Sequence, residues 1–429
     1  MSSHELQLRR SSGRFKLVIS NPAYRRIWLI GVVSTTLRWM ETVALGIFVF
    51  QLTGSPFWVA LVGFLRMVPL LLLGPWIGLI SDRIERKILI GSTMGVLAPV
   101  YVVLAVLAIT NRIELWQVCI GATLAGVMWA TDLPVRRAMI GDAVSNDGIS
   151  TAIGIDMATS NFSRVIGPLG AGAFLSTVGI EAAYLTGAVL CGIGSALAFS
   201  SPSVTSGFRE VRRSGYFTNL AEGLRHLRAD RIVVVTLIIT IVMNMFAFPY
   251  QHMIPVIGSE TLMVGPLLIG LLLATEGFGA TIGSLVIAAK ARRGGFTRIY
   301  TIGSMTFLAA ILLFSLSPSY WTALPALLIG GFSMAGFATM QSVIVITSTP
   351  AEFRGRVLGV LAASIGTGPL GAILVGVFAV WWGANNAVTV LATTGLIMIA
   401  GTLIVWPRFL VSSITHVKSA EIAASAEDR

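Results

Sequence analysis

Apolar residues run in long blocks along this chain, broken by short polar stretches. None of the blocks keeps the strict alternation of a membrane barrel strand. A helix needs roughly 20 mostly apolar residues to cross a bilayer. Twelve stretches approach that length: 27–50, 57–80, 88–110, 115–135, 150–175, 179–200, 232–254, 264–289, 298–316, 322–346, 357–381 and 386–409. The pattern predicts an all-α membrane protein with twelve transmembrane helices.

The longest polar interruption, Ser201–Arg231, divides the blocks six and six. It predicts an N-terminal tail (1–26), a six-helix bundle (27–200), a linker (201–231), a second six-helix bundle (232–410) and a C-terminal tail (411–429). The halves echo each other. Gly167-Pro168-Leu169-Gly170-Ala171 recurs 201 residues later as Gly368-Pro369-Leu370-Gly371-Ala372, and Gly78 has a counterpart 205 residues on in Gly283. Two matches on equivalent helices point to a parallel repeat. Transporters built this way bind substrate near the midplane and rock one half against the other.

Composition agrees with the pattern: 55% of the 429 residues are hydrophobic, 11% are charged, and mean hydropathy is +0.84. Soluble domains carry about 25% charged residues. The net charge of +11 raises the question of nucleic acid, and its placement answers it. With the N-terminus in the cytoplasm, the bases from Arg83 to Lys87, Arg136, Arg137, Arg209 to Arg231, Lys290 to Arg293, Arg354 and Arg356 share one side, against Arg112 on the other. That is the positive-inside pattern, with both termini cytoplasmic, and it needs no nucleic-acid partner. The first apolar run is too long for a signal peptide, so none is expected. Cys119, Cys191 and the four histidines lack metal or disulfide spacing. A phosphate-binding G-x-x-x-x-G-K-[ST] loop and nucleophile motifs are absent, so neither an enzyme, an ATP-driven pump nor a bound cofactor is expected.

Charges inside the apolar blocks carry the functional reading, because ionisable groups there mark substrate or ion paths. Arg38 and Glu41 are three residues apart and share a helix face. Glu41 and Arg66 lie about equally far from the Thr53-Gly54 turn, so an ion pair between them is expected. Glu41 is then either a proton or cation site or half of a static pair. Glu276 stands without a base in its own helix, either as a coupling carboxylate or as a polar wall of a cavity. Asn244, Gln251, His252 and Gln341 are candidate polar contacts, each alternatively a tie between helices. Trp39, Trp129, Phe246 and neighbouring methionines suit an apolar cavity or a lipid face. Asp156 is expected to pair with Arg136 or Arg137.

Gly78-Leu79-Ile80-Ser81-Asp82-Arg83-Ile84-Glu85-Arg86-Lys87 resembles the loop signature G-x-L-x-D-R-x-G-R-R/K of the major facilitator superfamily, with Glu85 in place of the second glycine. Leu52–Pro56, Asp132–Ala138 and Arg354–Val357 narrow the resemblance. Together they are similar to the bacterial drug-efflux branch that includes macrolide and enterobactin-type siderophore exporters. The resemblance covers essentially the whole chain. It implies two pseudo-symmetric six-helix bundles in the bacterial inner membrane. It further implies a monomer that exports a drug-like or siderophore-like small molecule by alternating access, coupled to protons. A membrane sensor that has lost transport is the alternative from another class.

In the family, the loop cluster latches the cytoplasmic side. That role carries to Gly78, Asp82, Arg83, Arg86 and Lys87, with Asp132, Arg136, Arg354 and Arg356 as further gating candidates; the bases alternatively only enforce topology. Gly167, Pro168 and Gly172 resemble the antiporter signature G-x-x-x-G-P-x-x-G-G, and with Gly368 and Pro369 they are candidate hinge or packing positions. Trp116–Gly121 lacks the arginine that many proton-coupled antiporters carry early in the fourth helix, so coupling through that residue is not expected.

Overall fold

The computed structural model describes residues 18–81, 84–145, 148–201, 231–290, 295–349 and 353–410. Asp82, Arg83, most of the 201–231 linker, and the tails before 18 and after 410 lie outside the described residues. The helices are α1 (Pro22–Thr53), α2 (Pro56–Ser81), α3 (Arg86–Ile109), α4 (Leu115–Ala143), α5 (Ile149–Thr177) and α6 (Ile180–Phe199). After the linker come α7a (Arg231–Val242), a π-helical turn (Met243–Ala247) and α7b (Tyr250–Glu260). They are followed by α8 (Pro266–Lys290), α9 (Phe296–Ser315), α10 (Tyr320–Ser348), α11a (Arg354–Ile365), α11b (Gly368–Trp382) and α12 (Ala384–Val405).

Among the described residues, eleven helical segments are long and apolar enough to cross a membrane. The chain is an all-α, multi-pass membrane protein. The expected span 150–175 forms α5 but is not one of the eleven, because its first half carries Asp156, Thr159, Ser160, Asn161, Ser163 and Arg164. Much of this polarity is spent on α1. Ser163 Oγ lies 3.0 Å from Thr35 Oγ1 and 3.1 Å from Thr36 Oγ1, and Trp28 Nε1 donates to Thr159 Oγ1 at 2.8 Å. Trp58, Trp116, Trp321, Trp381 and Trp382 are exposed near helix ends, where indoles sit at a membrane–water interface.

Local chemistry sets the helix limits. Asn21 caps α1, its Oδ1 accepting from Ala23 N at 2.9 Å and Tyr24 N at 3.3 Å, with Pro22 at the first helical position. Its Nδ2 donates to Ala143 O at 2.8 Å and ties the start of α1 to the end of α4. Gly54, at φ 60°, ends α1 and turns the chain into α2. The two Gly-Pro repeats behave differently. α5 runs straight through Pro168, whereas α11 breaks just before Gly368-Pro369. At the 201-residue offset Gly366 replaces Val165, and a glycine inside a helix costs about 1 kcal/mol relative to alanine.

Packing divides the chain into two compact units. One comprises Met1–Gly54, Val62–Val211 and Gly265–Ala274; the other Ser55–Leu61, Arg212–Val264 and Thr275–Arg429. The first turns of α2 and α8 thus cluster apart from the rest of their helices. In the first unit α1 packs on α4, α5 and α6, and α3 packs on α4 and α6. There Gly172 of α5 lies against Pro266 O and Leu267 at the start of α8. In the second unit α9 packs on α10 and α12, and α7a on α10 and α11a.

Each unit brings a glycine onto the backbone of a charged residue. Gly126 of α4 lies on the carbonyl of Arg66, and Gly331 of α10, 205 residues on, lies on the carbonyl of Glu276. Small residues let membrane helices approach this closely. A Gly331→Ala substitution therefore pushes α8 and α10 apart, at about 1–3 kcal/mol for overpacking. The expected result is a lower thermal unfolding midpoint of purified protein. Gly330→Ala is the control, since its added Cβ meets nothing closer than 3.6 Å; equal midpoints would contradict the packing argument.

Candidate functional site

Arg66 of α2 is fixed by three groups on α1. Its Nη2 lies 3.1 Å from Glu41 Oε2 and donates to the Arg38 carbonyl at 2.7 Å, while Nη1 donates to Thr42 Oγ1. Glu41 is 5% exposed and Arg66 7%, so a desolvated charge pair sits in the membrane-spanning part of the first unit. Tyr101 of α3 completes it, donating from its hydroxyl to Glu41 Oε1 at 2.8 Å. Glu41 is thereby held between a permanent cation and a phenol.

The Arg38 side chain turns elsewhere. Its guanidinium stacks 3.7 Å over Trp129 and 5.2 Å from Trp39, and Arg164 of α5 lies 4.4 Å over the same Trp39 ring. Such contacts are worth about 0.5–2 kcal/mol each. They hold two half-buried guanidiniums around one indole. α5 reaches α1 here because Gly167 presses on its backbone, its ideal Cβ position lying 2.7 Å from Met40 N.

In the second unit Glu276 is 2% exposed, and Gln251 Nε2 of α7b donates to its Oε1 at 3.1 Å and Oε2 at 3.3 Å. His252, the next residue, is half-buried. Asn244 and Gln341 do not join Glu276; they meet at Thr240. Asn244, in the π-helical turn, donates to the Thr240 carbonyl at 2.9 Å, and Gln341 donates to Thr240 Oγ1 at 2.9 Å. Tyr300, 3.0 Å from that hydroxyl and donating to Thr236 O, extends the network across α7a, α9 and α10. π-helical turns are frequent at functional sites. Gly371 of α11b packs on the carbonyl of Met245 inside this one.

The gating candidates are dispersed. Arg136 is buried between two carboxylates: Nε lies 3.2 Å from both oxygens of Asp132, and Nη1 pairs with Asp156. Gly31 of α1 makes room, since its ideal Cβ position falls 3.0 Å from the Arg136 Cζ. Arg86 pairs with Asp142, joining α3 to the end of α4, and Lys87 lies 3.4 Å from Glu85. Arg354 Nε donates to the Ile346 and Thr349 carbonyls at 3.1 Å, satisfying the end of α10. Arg356 lies 5.5 Å from the Phe353 ring. α2 continues helical through Gly78.

Sequence reasoning missed Tyr101 and Thr42. A tyrosine hydroxyl within a Val- and Leu-rich span needs a partner, and that was the available signal. Among the described residues, no group of three or more His, Cys, Asp and Glu is placed to hold a metal ion.

A helical membrane bundle with buried charges in both units defines a transporter of the major facilitator fold, not an enzyme. The chain belongs to the transmembrane secretion effector family of that superfamily, whose profile matches residues 17–427. It is 24% identical over 346 residues to the staphyloferrin A transporter of Staphylococcus aureus, covering 80% of this chain and 86% of that one. It is 22% identical over 406 residues to macrolide efflux protein A of Streptococcus pyogenes, covering 92% and 96%. Among solved structures, the nucleoside transporter NupG superposes with a TM-score of 0.70 at 13% identity, covering 89% of this chain and 98% of that one. That likeness speaks to fold alone.

Proposed function

We propose that the protein exports an amphipathic small molecule across the bacterial cytoplasmic membrane by alternating access, as a proton antiporter. In this reading 27–200 and 232–410 are its two repeats, 201–231 links them, and both termini are cytoplasmic. The observation that carries the proposal is Glu41, a carboxylate buried in a membrane span between Arg66 and Tyr101. Protonation cancels the ion pair and releases Arg66 to its neutral partners, which is the charge change an antiporter needs. Glu276 with Gln251 forms a second polar station that we assign to substrate contact.

A finer reading of the substrate rests on Arg38 and Arg164 around Trp39. Guanidiniums on an indole favour an anionic or carboxylate-bearing aromatic compound over a cation. One relative is named for transport of staphyloferrin A, so that compound belongs in the test. The Arg86–Asp142 pair and the motif residues beside it are assigned to gating.

The test is a panel of drugs and siderophores on cells lacking, then overproducing, the protein. Overproduction is expected to raise tolerance to, or efflux of, at least one amphipathic anion. Arg38→Gln should weaken apparent affinity for that compound by about tenfold, the loss of one charge-assisted contact to the anion. A panel without any response would favour a sensor that does not transport.

A further inference from the structure

α7 and α11 both break, and the breaks meet. α7 passes through the π-helical turn Met243–Ala247, where Phe248 N donates to the Met243 carbonyl at 3.1 Å, and restarts after Pro249. α11 stops at Ile365 and restarts at Gly368. Gly371, in the first turn of α11b, joins them. Its ideal Cβ position lies 2.4 Å from Met245 O and 2.6 Å from Pro249 Cγ. At each break a side chain takes a main-chain carbonyl. Asn244 Nδ2 donates to Thr240 O at 2.9 Å, and Thr367 Oγ1 donates to Ser364 O at 2.8 Å. Side chains that satisfy the backbone in this way let a helix break inside a membrane without stranding polar groups.

The helix halves on one side of the breaks are bound to each other. Val233 and Leu237 of α7a, Val345 near the end of α10, and Val357, Val360 and Leu361 of α11a form one buried apolar core. Packed cores resist deformation and transmit motion as a body. On the other side, α11b packs on the π-helical turn, α7b and α12. α7b carries Gln251, which holds Glu276 of α8. A polar tie runs from α7a to α9: the Tyr300 hydroxyl donates to Thr236 O at 2.9 Å and lies 3.0 Å from Thr240 Oγ1.

We infer that α7a, α11a and the end of α10 form a leaf that swings as one body within the second unit. Its hinge is shared by the Met243–Ala247 turn and the Gly366–Thr367 break, and its latch is the Tyr300 hydroxyl. The last turns of α10 follow by flexing at Gly336, since glycine weakens a helix interior. Gln341, beyond that glycine, donates to Thr240 and moves with the leaf. Swinging the leaf opens the end of the unit that holds Arg231 and Arg354, while the Glu276–Gln251 station stays with α7b. The motion is independent of which compound or ion is carried.

The test follows distances between nitroxide labels by pulsed electron paramagnetic resonance. It uses full-length protein in lipid nanodiscs, with Cys119→Ala and Cys191→Ala as background. Labels go in pairs on exposed positions: Arg231→Cys on α7a, Ala362→Cys on α11a and Arg298→Cys on α9. Positions 231 and 362 are expected to keep one distance from each other. Both are expected to show two distances to position 298, with the same fraction displaced. Tyr300→Phe removes the latch hydroxyl and keeps the ring stacked on Phe337, at 5.4 Å between centroids, so folding is not at risk. It should raise the displaced-to-docked ratio about fivefold in both pairs, the effect of one lost hydrogen bond. Gly366→Ala stiffens the α11 break and should lower the ratio about fivefold in both pairs, although α7a is untouched. That effect across helices separates a shared hinge from two independent kinks. A displaced fraction that changes in one pair only, a 231–362 distance that splits, or a single unchanged distance to position 298 in Tyr300→Phe would overturn the leaf.

Discussion

Arg136→Met is expected to remove nearly all folded protein from the membrane. Arg136 is 1% exposed, and the acids it holds, Asp132 and Asp156, are 5% and 4% exposed. Deleting the cation leaves two carboxylates facing each other without solvent, and breaking a buried pair in this way costs about 3–5 kcal/mol. A domain has only about 5–15 kcal/mol to lose. The measurement is the yield of monodisperse protein after detergent extraction. The triple substitution Arg136→Met, Asp132→Asn, Asp156→Asn separates charge from shape. Neutral replacement of a buried ionic cluster is often tolerated, so the yield should recover to near wild type. A folded Arg136→Met single variant would mean that the cluster is hydrated and not structural.

Glu41→Gln is expected to abolish proton-coupled export while leaving most of the protein folded. Glutamine keeps the volume of glutamate but cannot change charge. Tyr101 donates to Oε1 and Arg66 pairs with Oε2, and an amide must set its NH2 against one of these two donors, so stability should fall by about 1–3 kcal/mol, the cost of one unmet buried donor. Glu41→Asp keeps a titratable group but retracts it from Tyr101, so coupled export should persist at a reduced rate. The double variant Glu41→Gln, Arg66→Met tests the static-pair alternative. If Glu41 only neutralises Arg66, removing both charges restores stability and export together. If Glu41 carries the proton, stability returns and export does not.

The membrane bundle was legible because twelve apolar blocks of spanning length have few other uses. The Glu41–Arg66 juxtaposition was legible too, because a tight turn at Gly54 makes depth along an α-hairpin a matter of counting. Asp156 was narrowed to two bases. Arg136 takes it because Asp132, four residues earlier, puts the other acid on the same helix face. Tyr101 and Tyr184 come from α3 and α6, whose packing on each other uses glycines at distant positions such as Gly91 and Gly194, and a tyrosine in an apolar run gives no direction. Local sequence gave no warning of the π-helical turn at Met243–Ala247 either. Gln341 and Asn244 were open between cavity contacts and ties between helices; both reach Thr240, a residue whose partners only three-dimensional packing reveals.

The central claim is that Glu41 carries the proton. It is tested most directly in proteoliposomes holding a trapped pH-sensitive dye, with a compound chosen from the susceptibility panel. The account predicts compound-dependent proton movement in wild type and in the triple Arg136 variant, and none in Glu41→Gln or in Glu41→Gln, Arg66→Met. Compound-dependent proton movement at the wild-type rate in folded Glu41→Gln would contradict it.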